Sequence, residues 1–508
     1  MSETSQRPDP EVPENGTGTG TPGLAGTLKK AATAAVVGLV VVQGVGIIQT
    51  LVLGRLLGPT EVGLFAAGTV LLGFISVVSQ GALSQALIQR KTEIEVAANT
   101  VLVVTFGIGV LLACGLAALS PVLGIVFHSS EVTYIALASA GMVLLHACTS
   151  VPDALMQREL KVYRKLIIDP AATIVYAVVA IALALTGMGA WAMVIGTYAS
   201  QIVWVGLSWS LAGWKPSLKL FSVRVWRELS AFSFPLLVNS VAERIRETVE
   251  QILVGQFLGA RALGQFRYGH RLGSMPSVAI LQICSYLLFP AFAQIAHDRE
   301  RFVHAYHRAA GWLWAAALPV AFLMVLAAEP VVVALLGSEW QPAGAAAAGM
   351  AGVGPGMAMA AVAAESIKGI GRPRALTWLS ISSLVAGLPL VWWMTTYGLT
   401  AVGIAISIMY LATGFGTIVV AGRILDIPLR SVVGRVLGVT TAATAAFVIV
   451  EVVDLVFIPA PNLLVELLEC LVYLVLYVAV LAVVDRARVR VMVGELRKLS
   501  RRRPGRGR

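Results

Sequence analysis

Charge is what this chain has least of. Asp, Glu, Lys and Arg together make up 13% of its 508 residues, about half the share found in an ordinary soluble domain. There are four cysteines, and Cys114, Cys148, Cys284 and Cys470 fall singly in separate apolar stretches. That spacing offers no Cys-x-x-Cys pair, so they read as small buried apolar side chains. No Gly-x-x-x-x-Gly-Lys-Ser/Thr loop occurs, nor any His-Glu-x-x-His, which excludes nucleotide hydrolysis by the chain itself. Polar stretches between apolar runs are short, leaving no room for a soluble catalytic domain. The expectation is a protein that is not an enzyme.

What is present is hydrophobic: 57% of residues, with a mean hydropathy of +0.83. Apolar runs of membrane-spanning length recur along the chain, which predicts an all-α polytopic membrane protein. Fourteen candidate spans begin near Ala31, Val62, Ala97, Thr133, Leu166, Ala190, Ala231, Ala262, Ala309, Ala343, Ala375, Thr400, Val433 and Leu463. An even number puts both termini on one side. With that side cytoplasmic, all but six of the 38 Lys and Arg residues fall inside, the exceptions being Arg55, Arg244, Arg246, Arg261, Arg267 and Arg271. This is the asymmetry of the positive-inside rule. The net charge of +11 is therefore a topology signal, helped by the basic tail 486–508, and gives no reason to expect nucleic acid as a partner. Residues 1–27, rich in Pro, Gly, Thr and Glu, read as a disordered cytoplasmic tail. His297, His304 and His307 read as part of a solvated inner interfacial helix, so no metal site is expected.

One helix breaks the pattern. Between Asn239 and Val254 the sequence carries Glu243, Arg244, Arg246, Glu247 and Glu250, which at 100° per residue share an arc of about 160°. Five charges facing lipid would cost about 12–17 kcal/mol, at about 2.5–3.5 kcal/mol each. That face must look into protein or into water. The i,i+3 and i,i+4 spacings permit Glu243–Arg246, Arg244–Glu247 and Arg246–Glu250 pairs, leaving at least one carboxylate without a local partner. Further on, Arg267 and Arg271 lie four residues apart on one face with no acid nearby in sequence. They suit an anionic ligand, since a guanidinium fork donates paired hydrogen bonds to phosphate; the alternative is an anchor reaching to lipid head groups. Arg55 and Arg261 fall in turns and read as solvated. Ser76, Gln80 and Ser84, spaced by four, form a polar stripe fit for cavity lining or for interhelical hydrogen bonds. Trp191, Trp204, Trp209 and Trp214 read as belt and packing residues.

The chain also repeats itself. Gly54-Arg-Leu-Leu-Gly-Pro-Thr-Glu-Val-Gly-Leu-Phe65 and Gly255-Gln-Phe-Leu-Gly-Ala-Arg-Ala-Leu-Gly-Gln-Phe266, offset by 201 residues, both read Gly-x-x-Leu-Gly-x-x-x-x-Gly-x-Phe. Six spans separate the copies, so the repeats are parallel, an arrangement that places a substrate site between two halves. The expected organisation is an N-lobe over 28–212, a C-lobe over 213–423 and two extra helices over 424–485.

Arg55-Leu-Leu-Gly-Pro-Thr-Glu-Val-Gly-Leu-Phe65, Gln85-Ala-Leu-Ile-Gln-Arg-Lys91, Gly189-Ala-Trp-Ala-Met193, Leu253-Val-Gly-Gln-Phe-Leu-Gly-Ala-Arg-Ala-Leu-Gly264 and Gly371-Arg-Pro373 resemble, in order and spacing, the bacterial oligosaccharide flippases. These form the polysaccharide transport branch of the multidrug/oligosaccharidyl-lipid/polysaccharide exporter superfamily. The resemblance runs from about Lys29 to Arg486. It implies two parallel six-helix lobes around a cavity open alternately to each side, two extra C-terminal helices, and a polyprenyl-pyrophosphate-linked sugar as cargo, carried across the bacterial cytoplasmic membrane for surface polysaccharide assembly. Where the family often has Asp six residues before the glycine turn after span seven, this chain has Glu250 just ahead of Gly255.

The expected anionic head-group site is therefore Arg267, Arg271, Arg244 and Arg246, with Glu250, Glu247 and Glu243 coupling transport to H+ or Na+. No other cofactor is expected. Expected partners are the lipid-linked oligosaccharide, membrane lipids, and polymerase and glycosyltransferases of the same pathway, with the chain itself a monomer. Two rivals remain at this level. A multidrug antiporter of the same superfamily would want unpaired carboxylates in its cavity. A membrane glycosyltransferase or ligase would want catalytic carboxylates outside, where Glu131, Glu329 and Glu339 are sparse.

Overall fold

The protein is described by a computed structural model covering residues 22–90, 92–158, 162–217, 220–295, 297–370, 374–457 and 463–485. The tail 486–508, most of 1–27 and the Gly371–Pro373 motif lie outside the described residues. So do the side chains of Gln80 and Glu243. Among the described residues there are helices and no strand: α1 Pro22–Gly68, α2 Val70–Gln89, α3 Ile94–Val126, α4 Ser130–Arg158, α5 Val162–Leu185, α6 Ala190–Ala212, α7 Val223–Gln294, α8 Arg299–Leu336, α9 Gln341–Gly349, α10 Val353–Gly369, α11 Arg374–Met394, α12 Leu399–Leu425, α13 Leu429–Phe457 and α14 Leu463–Val484. Among the described residues, eleven segments are long and apolar enough to span a membrane. The other three expected spans, near Val62, Ala231 and Ala262, fall on the second arm of α1 with α2 and on the two arms of α7. Two of the connections on the elbow side are tight. Helix α3 runs to Val126, so only 127–129 link it to α4, and α8 runs to Leu336 before a short 3-10 turn, Ser338–Trp340.

The repeat is a structural one. Helix α1 bends at Gly58 (φ 71°, ψ 173°) and α7 bends at Gly259 (φ 86°, ψ 170°). These are the same position in the two copies, in a left-handed region open to glycine and costly for other residues. Pro59 then restarts the second arm of α1, where its missing N–H goes unmissed. The two elbows abut backbone to backbone. A Cβ on Gly63 would lie 1.7 Å from the Ala260 carbonyl oxygen, and one on Gly264 would lie 2.0 Å from that of Pro59. The offset of 201 carries Gly63 to Gly264 and Pro59 to Ala260, so the two contacts exchange when the copies are swapped and the repeats meet across a local pseudo-twofold axis.

Motif residues of the first copy are structural anchors. Glu61 accepts a hydrogen bond from Ala190 N at 2.7 Å, placing a carboxylate on the positive end of α6. Trp340, 1% exposed, donates to the Gly54 carbonyl at 3.2 Å and packs 4.5 Å from Tyr268.

Helices α3 and α4, α5 and α6, and α10 and α12 pack in pairs, while α1, α2 and α10 all lie against α7. On the elbow side, apolar clusters run from one half of the chain into the other. Val62, Phe65 and Ile135 share a core with Tyr268, Leu336 and Trp340, and Val70 and Val132 share one with Leu263 and Val353. On the opposite side, among the described residues, Ala86, Leu87, Val101 and Leu155 form one cluster, and Phe292, Phe302, Tyr306 and Ile367 another. The molecule is sealed at the elbows. Helices α13 and α14 pack on each other and on α8, held by Trp314 Nε1 donating to Thr440 Oγ1 at 2.9 Å and by Tyr477 Oη donating to the Ala315 carbonyl at 3.1 Å.

Candidate functional site: a charged cavity between the two halves

Two adjoining cavities lie behind the elbows. One of about 490 Å3 is walled by α1, α2, α4, α5, α6 and the second arm of α7, and one of about 360 Å3 by Thr69, the start of α2 and both arms of α7. They share Thr69, Gly73, Arg267 and Arg271, so the two arginines stand at the junction. Both side chains are exposed although α7 is flanked by other helices, and the open space they face is that of the two cavities.

Arg267 and Arg271 leave α7 and cross to α1. Arg267 Nη1 donates to Thr69 Oγ1 at 3.3 Å and its guanidinium sits 5.6 Å from the Phe65 ring. Arg271 Nη2 donates to the Gly46 carbonyl at 3.4 Å. Tyr176 and Tyr268 lie within electrostatic reach of both. Among the described residues neither arginine makes an ion pair. Two guanidinium groups at that junction, held by weak neutral contacts, leave most of their donors free for a dianionic ligand.

The charged face of α7 does not act as one surface. Arg244 and Glu247 pair at 2.6 Å, with side chains 42% and 36% exposed, and both line the 360 Å3 cavity. Arg246 points elsewhere. It pairs with Glu250 at 3.0 Å, donates to Tyr410 Oη at 2.7 Å and lies 4.8 Å over that ring, beside a separate cavity of about 90 Å3 lined by α11 and α12. Its partner Glu250 is 2% exposed. The pairing inferred from spacing is correct for both pairs. The grouping of Arg246 with the head-group arginines is not, because its guanidinium is committed to the Glu250 carboxylate and to the Tyr410 phenol of α12 and does not line the cavity that holds Arg267 and Arg271.

Of the polar stripe on α2, Ser76 lines the larger cavity. Ser84 is not among its lining residues and donates to the Ser150 carbonyl of α4 at 3.4 Å; for Ser84 the interhelical alternative holds. The tryptophans of α6 pack. Trp204 Nε1 donates to Asp153 at 3.2 Å, Trp209 Nε1 to the Cys148 carbonyl at 3.1 Å, and Trp209 stacks on Trp214 at 5.8 Å. Arg55 donates to the Ala334 carbonyl at 2.9 Å and Arg261 pairs with Glu339 at 3.5 Å, both exposed in the elbows. His307 is buried and hydrogen-bonded to Ser431 at 2.8 Å, which corrects the reading of a solvated histidine. No metal-ligand cluster occurs among the described residues.

Sequence reasoning missed Thr69 and His270, which line the cavity at equivalent positions of the two repeats, and Gln49, Tyr176 and Gln201 in the larger cavity. The repeat offset was a usable signal for the first two. The others are single polar residues in apolar helices, with no local pattern to mark them.

A multi-pass all-helical bundle, duplicated, sealed at one side and holding an arginine-lined cavity between its halves, is the architecture of a membrane transporter. The family described as polysaccharide biosynthesis protein matches residues 52–345. The chain is 24% identical over 344 residues to the succinoglycan biosynthesis transport protein of Rhizobium meliloti (strain 1021), covering 68% of this chain and 69% of that one. It is 22% identical to a lipopolysaccharide biosynthesis protein of Escherichia coli (strain K12), over 59% of this chain and 61% of that one. It is 23% identical to a teichuronic acid biosynthesis protein of Bacillus subtilis (strain 168), over 58% of this chain and 61% of that one. Among solved structures, the lipid II flippase MurJ in an inward closed conformation superposes with a TM-score of 0.71 at 14% identity, over 90% of this chain and 99% of that one. An inward-facing multidrug resistance MATE transporter gives 0.62 at 16%, over 78% and 98%. The fold is that of these transporters. The chain belongs to the polysaccharide biosynthesis protein family, in its polysaccharide transport branch, and is a multi-pass integral membrane protein.

Proposed function

We propose that the chain is a flippase that moves a polyprenyl-pyrophosphate-linked oligosaccharide across the bacterial cytoplasmic membrane by alternating access, for cell-surface polysaccharide assembly. The observation that carries this reading is the pair Arg267 and Arg271, without a carboxylate partner among the described residues, at the junction of the two cavities. The carboxylates lining the same space, Glu247 and Glu250, are each matched by an arginine, which disfavours a cation antiporter. The two arginines belong to α7 but rest on α1, so rocking of the two halves would change their surroundings, as a flip requires. Family membership and relatives named for succinoglycan, lipopolysaccharide and teichuronic acid biosynthesis support the cargo class.

The lobes are taken as 28–212 and 213–423, with 424–485 as accessory helices and both termini cytoplasmic, which makes the elbow side the outer one. Glu250, aided by Glu247 and Glu243, is assigned to coupling with H+ or Na+; the chain acts as a monomer, beside the polymerase and glycosyltransferases of its pathway. Arg267→Ala with Arg271→Ala should abolish flipping of a fluorescent polyprenyl-pyrophosphate sugar in vesicles while folded protein remains, and the double Lys variant should rescue in part, because a point charge lacks the fork. Full transport by the double Ala variant would overturn the reading.

A further inference from the structure

The connection between α6 and α7 opens the second repeat, yet it is fastened to the first half. Asn99 and Thr100 of α3 are buried, and both turn their side-chain oxygens to this segment. Asn99 Oδ1 accepts from Ser217 N at 2.6 Å and Thr100 Oγ1 from Ser222 N at 3.1 Å. Each is held in turn by its own helix, Asn99 Nδ2 donating to the Glu95 carbonyl at 2.8 Å and Thr100 Oγ1 to that of Val96 at 2.7 Å. Ser222 Oγ accepts from Val225 N at 3.4 Å and so caps α7. Over the first turns of α7, two faces of the helix are used. Val225 and Leu229 are buried in a cluster with Ala86, Leu87, Val101 and Leu155. Arg224 pairs with Glu93 at 2.7 Å and Glu228 with Arg90 at 3.0 Å, on the turn between α2 and α3. Arg158 of α4 braces that turn, donating to the Leu87 carbonyl at 3.3 Å and to that of Arg90. Among the described residues, 213–229 make no ion pair or side-chain hydrogen bond to the second half. Further along, α7 has partners there: Arg246 donates to Tyr410, and a Cβ on Gly269 would lie 2.6 Å from the Ala343 carbonyl oxygen.

We infer that residues 213–229 form a strap that moves with the N-lobe although the repeat assigns them to the C-lobe, so that the two halves part mechanically inside α7, between Leu229 and Arg246. The inference rests on the alternating-access reading and deepens it. A slack connection would absorb the rocking of the halves and leave α7 unloaded. A fastened one holds the start of α7 on one body while its later contacts lie on the other, so rocking must tilt or bend the first arm. The helix is unbroken from Leu229 to Arg246, and Pro235 falls in that stretch. A proline lacks the N–H of one helical hydrogen bond, which lowers the cost of a bend. The same arm carries Arg244–Glu247 in the cavity wall and Arg246–Glu250 beside Tyr410. Movement on the side away from the elbows is thereby passed to the charges next to the cargo site, without any contact between strap and cargo.

The test bridges cysteine pairs in the full chain, in vesicles and in a background without the native cysteines, with a bifunctional methanethiosulfonate of matched length. The readout is flipping of a fluorescent polyprenyl-pyrophosphate sugar. Glu93→Cys with Arg224→Cys spans the strap and the first half. Arg55→Cys with Ala334→Cys spans the two halves at the elbows, where Arg55 donates to the Ala334 carbonyl. Bridging the elbow pair should abolish transport, and reduction should restore it. Bridging the strap pair should leave transport unchanged. Loss of transport on bridging the strap pair would overturn the inference, because the strap would then have to move against the first half. If that pair fails to fold, Thr100→Cys with Ser222→Cys, at a side chain and a backbone that already meet at 3.1 Å, closes a direct disulfide with the same expected and refuting results. Undiminished transport with the elbow pair bridged would instead refute the rocking of the halves, and no transport by the wild type would refute the flippase reading itself.

Discussion

The elbow contact makes a quantitative claim about gating. Gly63→Ala places a Cβ 1.7 Å from the Ala260 carbonyl oxygen, and Gly264→Ala places one 2.0 Å from that of Pro59. Carbon and its neighbours settle at about 3.5 Å or more, so the elbows must part by about 1.5–1.8 Å. Both obstacles are backbone, so no side-chain rotamer can yield. Overpacking of this kind costs about 1–3 kcal/mol, and only the elbow-closed state bears it, because parted elbows do not touch. The closed-to-open ratio should therefore fall about 5- to 160-fold for either variant. The readout is a cysteine at Ser76, in the cavity wall, labelled by an impermeant reagent from the elbow side in a background without the native cysteines. Labelling should rise in both variants and transport should slow. Gly206→Ala, with nothing within 4 Å of its Cβ, is the control and should be silent. Unchanged labelling in Gly63→Ala and Gly264→Ala would show that this contact does not gate the cavity.

Three further outcomes follow from the same structure. Arg246→Ala should cost about 3–5 kcal/mol, because it strands Glu250, 2% exposed, as a buried charge without its partner; a thermal melt in detergent measures it, and a loss below 1 kcal/mol would show that the pair is not held as described. Glu250→Gln in reconstituted vesicles should leave cargo binding intact and remove the dependence of transport on a pH or Na+ gradient; unchanged gradient dependence would assign the pair a static role. A cysteine at Ser130, exposed at the start of α4, should label from outside intact cells, and one at Lys215, exposed after α6, should not; the reverse would invert the assigned orientation.

Local regularity reached far into this protein because a membrane helix satisfies its own backbone, so length and polarity along the chain suffice to mark it. The i,i+3 and i,i+4 pairs Arg244–Glu247 and Arg246–Glu250 were legible for the same reason: neighbours on one helix face are set by the helical period alone. The twelve-residue repeat announced the bends at Gly58 and Gly259, since a left-handed backbone selects glycine in both copies. What opposes a face, however, depends on chain segments far away in sequence. The sharing of one arc by five charges did not reveal that Arg244 faces the cavity while Arg246 turns to Tyr410, 164 residues on. Ser76 and Ser84 share a stripe, yet α4 comes close enough to take only the second. Arg267 and Arg271 looked free because no acid lay near them in sequence. Tertiary packing decided that Thr69, Phe65 and Gly46 would meet them instead, and that Gln49, Thr197 and Gln201, drawn from α1 and α6, would line the same cavity. Periodicity determines which residues travel together, and only the packing of helices whose close contacts lie some 200 residues apart decides what they face.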